Sequence, residues 1–237
     1  MALQEANWES IHEWLQPKTS EYWVEEPSLT QKVFLKTTAQ EVLFGGAAGG
    51  GKSSALLMAA LQYVDVPSYS AILFRRTYAD LALPGALMDR FREWITAFDD
   101  IHWNANQYTA TFPSGARITF GYLNNSQDYL RYKGSEFQFI GMDEVTEIRE
   151  ADYRYLFSRL RRPSTGPLSQ VPLRMRAATN PAPNWVRQRF LVEGNEKGRI
   201  FVPSKLTDNP GIDPESYRAV LQELDPVERK RLEFGDW

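Results

Sequence analysis

The sequence of 237 residues has no cysteine, only two histidines and no long run of apolar residues. The lack of cysteine excludes disulfides and thiolate metal sites and fits a cytosolic protein, and His12 and His102 are too few for a histidine-rich metal site. No apolar run approaches the roughly 18–20 residues of a membrane span, and the first residues lack the basic and apolar regions of a secretory signal. With 43% hydrophobic residues, the length suffices for one α/β domain with small appended subdomains.

Acidic residues are absent from one stretch of the chain. No Asp or Glu occurs between Tyr153 and Val192, although the net charge of the whole chain is −3. Such a basic zone indicates either a surface that faces nucleic acid or phosphate, or arginines that pair with carboxylates from elsewhere in the fold. The stretch holds eight arginines: Arg154, Arg159, Arg161, Arg162, Arg174, Arg176, Arg187 and Arg189. Of these, we predict DNA contacts for Arg159, Arg161, Arg162, Arg187 and Arg189.

A glycine-rich loop is the most specific motif of the sequence. Residues 46–53 read Gly-Ala-Ala-Gly-Gly-Gly-Lys-Ser and fit G-x-x-x-x-G-K-[ST], the phosphate-binding loop (Walker A) of nucleotide-binding proteins. An apolar run, Val42–Phe44, precedes the loop and a helix-like stretch, Ser54–Tyr63, follows it, which is the context that such a site requires. Lys52 is predicted to reach the β- and γ-phosphates, and the Ser53 hydroxyl to hold Mg²⁺. The phosphates are expected to contact Gly46, Ala47, Ala48, Gly49, Gly50, Gly51, Lys52, Ser53 and Ser54.

A pair of carboxylates ends a later apolar run, Phe137–Met142. In phosphate-loop NTPases an acid at such a strand end (Walker B) holds Mg²⁺ beside the loop hydroxyl, so Asp143 is the predicted metal ligand. The next residue, Glu144, is the predicted general base, because a glutamate within hydrogen-bond reach of the attacking water can activate it. Strands often end in polar turns, but the preceding phosphate loop makes the pair a strong signal. The Asp-Glu pair points to motors and helicases that hydrolyse ATP.

Two further polar positions are candidates for the nucleotide site. Thr179 and Asn180 follow a predicted strand, where open α/β sheets bind ligands, and could sense the γ-phosphate and relay its loss. An Asx turn that ends the strand before Pro181 is the alternative. Gln31, fifteen residues before the phosphate loop, could read the adenine edge, or it could be a solvated surface residue.

Strands and helices alternate along most of the chain. A strand at 71–74, a helix at 87–98, a strand at 137–142, a helix at about 151–161 and a strand at 173–179 follow the loop, and this alternation predicts a parallel βαβ sheet. Alternating runs at 107–112 and 116–122, joined by Pro113-Ser114-Gly115, predict a β-hairpin. A helical piece is expected near 127–132, and another short helix at Trp8, Ile11, Trp14 and Leu15.

Several ordered motifs resemble one family, the large terminase subunit of tailed bacteriophages, in its N-terminal packaging ATPase. The phosphate loop and the Asp143-Glu144 pair are shared with many ATPases, whereas other blocks are much more particular to large terminases. These blocks are Thr179-Asn180-Pro181 with Trp185-Val186 and Arg189-Phe190, Thr207-Asp208-Asn209-Pro210, and the closing Leu232-Glu233-Phe234-Gly235-Asp236-Trp237. The stretch Ile72–Thr77 and Tyr132-Lys133-Gly134 add to the resemblance.

The resemblance implies a P-loop NTPase of the ASCE type, with a mainly parallel central sheet flanked by helices and a small helical lid or linker subdomain. It implies a Trp-rich segment at 1–30, an ATPase core at 31–205 and a C-terminal helical lid at 206–237, with helix over Pro214–Phe234. No nuclease domain, and hence no DNA cleavage, is expected in a sequence that ends at Trp237. The implied activity is ATP hydrolysis with Mg²⁺ that translocates double-stranded DNA into a procapsid.

The resemblance also implies partners. A homo-oligomeric ring, expected to be a pentamer, would act on the portal protein, with a small terminase subunit selecting the DNA; the isolated chain could instead be a monomer. The expected location is the host cytoplasm, without a membrane and without retention in the mature virion. Thr179 and Asn180 match the coupling motif of the family.

The arginine that completes the site is less well defined. Many terminases have an arginine in the phosphate loop where this chain has Ala48, so Arg75 and Arg76 become the local candidates. A neighbouring subunit could contribute Arg131 or Lys133, and we rank Arg131 first because lysine lacks the planar fork that clamps phosphate oxygens.

Two other functions are consistent with these motifs. One is a helicase-like or recombinase-like ATPase on nucleic acid, which would need aromatic platforms for single strands. The other is a nucleotide-gated assembly module with little turnover.

Overall fold

An eight-stranded sheet organises residues 16–209 and 211–237, the part of the chain that this computed structural model describes. The strands are β1 (Glu41–Gly46), β2 (Ser70–Arg75), β3 (His102–Asn104), β4 (Thr109–Thr111), β5 (Arg117–Tyr122), β6 (Phe139–Asp143), β7 (Arg174–Thr179) and β8 (Ile200–Ser204). Their spatial order is β3-β4-β5-β2-β6-β7-β1-β8. All neighbours from β5 to β8 pair in parallel, whereas β3, β4 and β5 are antiparallel. The mainly parallel α/β sheet of a P-loop NTPase is thereby confirmed.

Helices connect the strands and cover the sheet. They are α1 (Leu29–Lys36), α2 (Lys52–Leu61), α3 (Tyr78–Ala82), α4 (Leu87–Ile95), α5 (Glu150–Phe157), α6 (Trp185–Arg187), α7 (Pro214–Leu221) and α8 (Pro226–Phe234). Local sequence explains where several begin. Ser28 and Gln31 form a capping box at α1, and Asp213 and Asp225 cap α7 and α8 immediately before a proline, whose missing N–H costs nothing in the first turn.

Apolar side chains cover both faces of the sheet. On one face, Phe34 of α1, Leu56 of α2 and Phe91 of α4 are fully buried in one cluster. On the other face, α5 contributes Leu156 and α6 contributes Val186, both fully buried. The central strands are therefore enclosed between helical layers, which explains why β1 and β7 are buried at every residue.

The sequence anticipated most of these elements, with some differences. The hairpin is confirmed, with Ala110 of β4 opposite Ile118 of β5. Strands β3 and β8 were not predicted; β3 has only three residues and lies outside the predicted hairpin. Helix α5 ends at Phe157, short of the predicted 161, since Leu160 forms a parallel bridge with Phe137. The predicted C-terminal helix is two helices, and the predicted helix at residues 8–15 lies outside the described residues.

In the described part of the chain, no helix has the length and apolar character needed to cross a membrane.

Candidate functional site

The sheet brings three motifs to one edge. Strands β6, β7 and β1 are parallel neighbours, so their carboxyl ends meet there. In the register of the sheet, Asp143 lies opposite Ala178, and Thr179 lies opposite Gly45, just before the glycine-rich loop. This edge is where open α/β sheets bind ligands.

Glycine is required at both ends of the phosphate loop. Gly46 has a φ of 142°, and a Cβ there would lie 2.2 Å from the carbonyl oxygen of Ser204 on β8. Gly51 precedes α2 with a φ of 71°, and a Cβ there would lie 2.7 Å from the Gln31 amide. Side chains at these positions would push the loop off its neighbours, so the glycines set the path by which the chain enters α2.

Lys52 folds back across the loop. Its Nζ donates to the carbonyl oxygens of Ala47 at 2.5 Å and Gly46 at 3.4 Å, and the residue is only 7% exposed. Burial lowers the pKa of Lys52 to about 8, against the opposing pull of Glu144 and Asp143. A nearly desolvated ammonium bonded only to backbone carbonyls interacts strongly with any anion that enters the loop.

Asp143 lies beside the first turn of α2. The Ser53 hydroxyl donates to its Oδ1 at 3.2 Å, and Arg75 Nε approaches Oδ2 at 3.4 Å. Burial, followed by the charge of Glu144, raises the pKa of Asp143 to about 6. Within the described residues no cluster of three His, Cys, Asp or Glu could bind a metal by itself. The adjacent hydroxyl and carboxylate oxygens instead fit Mg²⁺, which is commonly held by one or two carboxylates together with substrate phosphates.

Glu144 has an unusual backbone conformation and few partners. Its φ of 48° lies in the left-handed region, a conformation that costs a non-glycine residue about 1 kcal/mol or more. Its Oε2 accepts from the Thr179 hydroxyl at 3.1 Å and faces the Asn180 N–H at 3.5 Å, while Arg75 stays 4.0 Å from Oε1. The hydroxyls of Thr146 and Thr179 are 2.7 Å apart. The predicted base and coupling residues are thus in direct contact.

Two neighbouring cavities meet at the loop. The smaller, of about 200 Å³, is lined by residues 48–53 together with Glu144 and Asn180. The larger, of about 580 Å³, is lined by Gln31, Ser54 and Trp94 among others. Both cavities share the side chains of Arg90, Asn209 and Ile212. The phosphate loop, Glu144 and Asn180 therefore surround the smaller cavity, which adjoins the larger one.

Gln31 is tied to the loop from the α1 side. Its Nε2 donates to the Gly51 carbonyl at 2.8 Å, and its Oε1 accepts from the Ser28 N–H at 2.8 Å. The side chain is 6% exposed and so is not the solvated surface residue of the alternative interpretation. Its contact with adenine stays a prediction.

Comparison with known proteins agrees with this geometry. The sequence profile of the family described as terminase large subunit, T4likevirus-type, N-terminal, matches residues 43–166, just over half of the chain. This chain belongs to that family. No curated protein matches the sequence at a significant level.

Solved terminase structures share the fold. The large terminase of a thermophilic bacteriophage, in complex with ADP, is similar with a TM-score of 0.73 and 14% identity over 89% of this chain and 53% of that one. The HK97 bacteriophage large terminase is similar with a TM-score of 0.67 and 10% identity, over 96% of this chain and 55% of that one. The Thermus phage P74-26 large terminase ATPase domain is similar with a TM-score of 0.58 and 14% identity, over 90% of this chain and 94% of that one. This terminase chain thus spans about half the length of the complete large terminases it matches.

The four candidate arginine-finger positions have different surroundings. Arg75 lies at the acids, and its Nη1 also donates to the Asp80 carbonyl at 3.0 Å. Arg76 and Lys133 are exposed. Arg131 has a half-exposed side chain that pairs with Asp128 at 3.3 Å. Of the four, only Arg75 joins the site within this terminase chain.

The basic stretch between Tyr153 and Val192 splits into buried and surface arginines. The DNA-contact prediction for Arg189 is wrong, because the residue is 9% exposed and its guanidinium donates to Glu41 at 2.5 and 3.1 Å. Arg174 and Arg176 are also buried, and the latter donates to the Thr37 carbonyl at 2.8 Å. The remaining candidates for DNA contact, Arg159, Arg161, Arg162 and Arg187, lie wholly or partly at the surface.

Sequence reasoning missed the groups that reach the loop from other elements. Asn209 Nδ2 donates to the Gly49 carbonyl at 2.6 Å, and the Ala48 N–H donates to the Leu232 carbonyl of α8 at 2.7 Å. Arg90 Nη1 donates to the Ser54 hydroxyl at 2.8 Å. Asn209 had a signal in its Asp-Asn-Pro motif, whereas Arg90 is one arginine on an amphipathic helix and had none.

Proposed function

We propose that this chain binds ATP with Mg²⁺ at the phosphate loop and hydrolyses it, as the ATPase motor domain of a terminase large subunit. The observation that carries the proposal is that Ser53 and Glu144 line one cavity at the carboxyl edge of the sheet, where Ser53 donates to the buried Asp143 and Glu144 accepts from the buried Thr179. Structural relatives from the thermophilic bacteriophage, in complex with ADP and with ATP-γ-S, support a nucleotide as the ligand.

Each side of the cavity has its own role in binding. The backbone N–H groups of Gly49–Ser53 surround the phosphates, whereas those of Ala47 and Ala48 donate to the carbonyls of Ser204 and Leu232. Lys52 leaves its carbonyl partners for the β- and γ-phosphates. Ser53 and Asp143 would hold Mg²⁺, which when bound neutralises charge that develops on the phosphate oxygens. Ser54 and Gln31 flank the nucleoside side of the loop.

Glu144 is the general base for the attacking water. The Thr179 hydroxyl fixes Oε2, so the carboxylate is oriented before the substrate arrives. The Asn180 side chain lines the cavity, and its Oδ1 is buried without a hydrogen-bond partner among the described residues. Because an amide oxygen only accepts, the amide would respond to the γ-phosphate through its Nδ2 donor. Arg75 or Arg76 acts from the same chain, and Arg131 or Lys133 from a neighbouring subunit.

We further propose that hydrolysis moves double-stranded DNA into a procapsid. The exposed arginines of the basic stretch would hold DNA phosphates, which makes the grip sensitive to salt and indifferent to sequence. The chain divides into an N-terminal segment (1–30), an ATPase core (31–205) and a lid (206–237) that rests on the loop through the Ala48–Leu232 bond. A ring of subunits, expected to be five, acts with portal protein and small terminase subunit in the host cytoplasm.

Glu144→Gln tests the proposal. The variant keeps size and hydrogen-bonding capacity but cannot accept a proton, so ATP turnover is expected to fall by about 10²- to 10⁴-fold while ATP binding persists. Turnover and binding are measured over a range of protein concentrations, with and without double-stranded DNA. Glu196→Gln, at an exposed acid outside the cavity lining, is the matched control. Unchanged turnover in Glu144→Gln would favour an assembly module over an enzyme.

A further inference from the structure

Arg90 lines the candidate nucleotide site and is bonded there to a hydroxyl. Its Nη1 donates to the Ser54 hydroxyl at 2.8 Å, and it takes part in none of the ion pairs formed among residues 16–209 and 211–237. Arg75, by contrast, is already engaged by Asp143. An arginine has five N–H donors, so one bond to a hydroxyl leaves most of the guanidinium for a ligand.

The position of Arg90 defines which part of a nucleotide it would meet. Its side chain lines both the 200 Å³ cavity around Lys52 and Ser53 and the 580 Å³ cavity beyond Ser54. The proposed function assigns the phosphates to the first cavity and the nucleoside to the second, whose lining also includes Glu25, Glu26 and Glu93. On that assignment Arg90 lies where the phosphate chain joins the nucleoside. The γ-phosphate belongs at the other end, beside Glu144.

We propose that Arg90 binds the phosphates nearest the nucleoside, the α- and β-phosphates that ATP and ADP share. The inference rests on the proposed function, because it assigns a role within that same nucleotide site. The fork of a guanidinium can donate to two phosphate oxygens at once, and such charge-assisted bonds are the strong ones.

The helix that carries Arg90 is well anchored. Leu87, Met88, Phe91 and Trp94 of α4 are buried in the core, and they fix the backbone on both sides of Arg90. A side chain on a rigid helix loses less conformational freedom when it binds a ligand. Arg92, two residues later on the same helix, is exposed and belongs to neither cavity. It offers a matched control of identical chemistry.

Calorimetric titration of Arg90→Ala with Mg-ADP and with a non-hydrolysable Mg-ATP analogue tests the inference. Both affinities are expected to fall by a similar factor, about 10- to 100-fold, which is the usual effect of one charge-assisted bond. Arg92→Ala should change neither by more than about twofold. Arg90→Lys should recover part of the loss, because it restores the charge without the fork.

The outcomes separate this inference from the proposed function. If Arg90→Ala binds Mg-ADP as the wild type does while Lys52→Ala loses binding, the role of Arg90 is overturned and the ATPase proposal stands. A loss confined to the ATP analogue would also overturn it, because the γ-phosphate would then be the partner. A wild-type chain that binds neither nucleotide overturns both. Should Arg90→Ala fail to fold by circular dichroism, Arg90→Gln, which can still donate to Ser54, carries the same expectation.

Discussion

Two buried carboxylates at opposite ends of the same parallel sheet have opposite surroundings. Glu41 begins β1 at the amino edge, whereas Asp143 ends β6 at the carboxyl edge. Glu41 accepts from the Tyr153 hydroxyl at 3.0 Å, from Arg189 at 2.5 and 3.1 Å, and from Arg199 at 3.0 Å. Both of its oxygens are thus occupied by donors from three different parts of the chain.

Asp143 is buried to a similar degree but has far fewer donors to offset the cost of burying its charge. Its hydrogen bond from Ser53 is 3.2 Å long, the Arg75 contact is 3.4 Å, and neighbouring Glu144 adds like charge. Glu41 has no capacity left for a ligand, whereas Asp143 has. The difference teaches that burial alone does not identify a functional acid in this fold. What identifies one is burial combined with too few donors, at the edge where ligands enter.

The largest effect on stability that we predict is at Glu41, whose two oxygens are already occupied by donors. Glu41→Gln leaves the buried Arg189 without a carboxylate and Arg199 with Glu193 alone, at 3.7 Å, so it should lower the free energy of unfolding by about 3–5 kcal/mol. Chemical denaturation measures this value. Glu150→Gln, which breaks an exposed pair with Arg154, is the matched control and should change stability by at most about 0.5 kcal/mol. Equal effects of the two variants would mean that the Glu41 cluster contributes no more than a surface ion pair.

A smaller effect is predicted for Thr179, whose hydroxyl donates to the predicted base Glu144. Thr179→Val keeps the shape of the side chain but removes the donor to Glu144, so ATP turnover should fall about 10-fold with little change in ATP affinity. Steady-state turnover and nucleotide titration measure the two quantities. Thr119→Val breaks a comparable hydroxyl pair with Thr109 on the hairpin and should leave turnover unchanged. Wild-type turnover in Thr179→Val would mean that Glu144 needs no support from β7.

The sequence predicted the groups that lie on continuous local patterns. The phosphate loop, the Asp143-Glu144 pair and Thr179 each follow an apolar strand, and parallel pairing then brings strand ends together. The sequence could not predict that Arg187 is exposed whereas Arg189, two residues later in the same turn, is buried, because burial depends on what packs against each side chain. The partner of Arg189 is Glu41, far away in sequence.

The sequence could not predict the position of Arg90, for a related reason. Its position at Ser54 depends on how α4 packs against α2, a tertiary contact between two helices. The hydrophobic pattern of α4 predicts which face is buried but not which polar side chain reaches over the neighbouring helix. Residues that complete a site from a distance require the folded structure.

The smallest effect we predict is a gain in stability on replacing Asp143, whereas replacing Glu41 lowers stability. Burial raises the pKa of Asp143 from 3.8 to about 6, so the folded chain holds this proton more tightly than the unfolded one. The contribution of Asp143 to stability is therefore complete below about pH 4 and is lost as the pH rises through 6. Two pKa units correspond to about 3 kcal/mol, and the weaker contacts of a neutral amide with Ser53 and Arg75 offset part of this. Asparagine does not ionise, so Asp143→Asn should be about 1 kcal/mol more stable than the wild type at pH 8 without nucleotide. Denaturation of the variant and the wild type at pH 8 and pH 5 should show this gain shrinking at the lower pH. A less stable Asp143→Asn at pH 8 would mean that the bonds from Ser53 and Arg75 outweigh the cost of burial, and the contrast with Glu41 would then disappear.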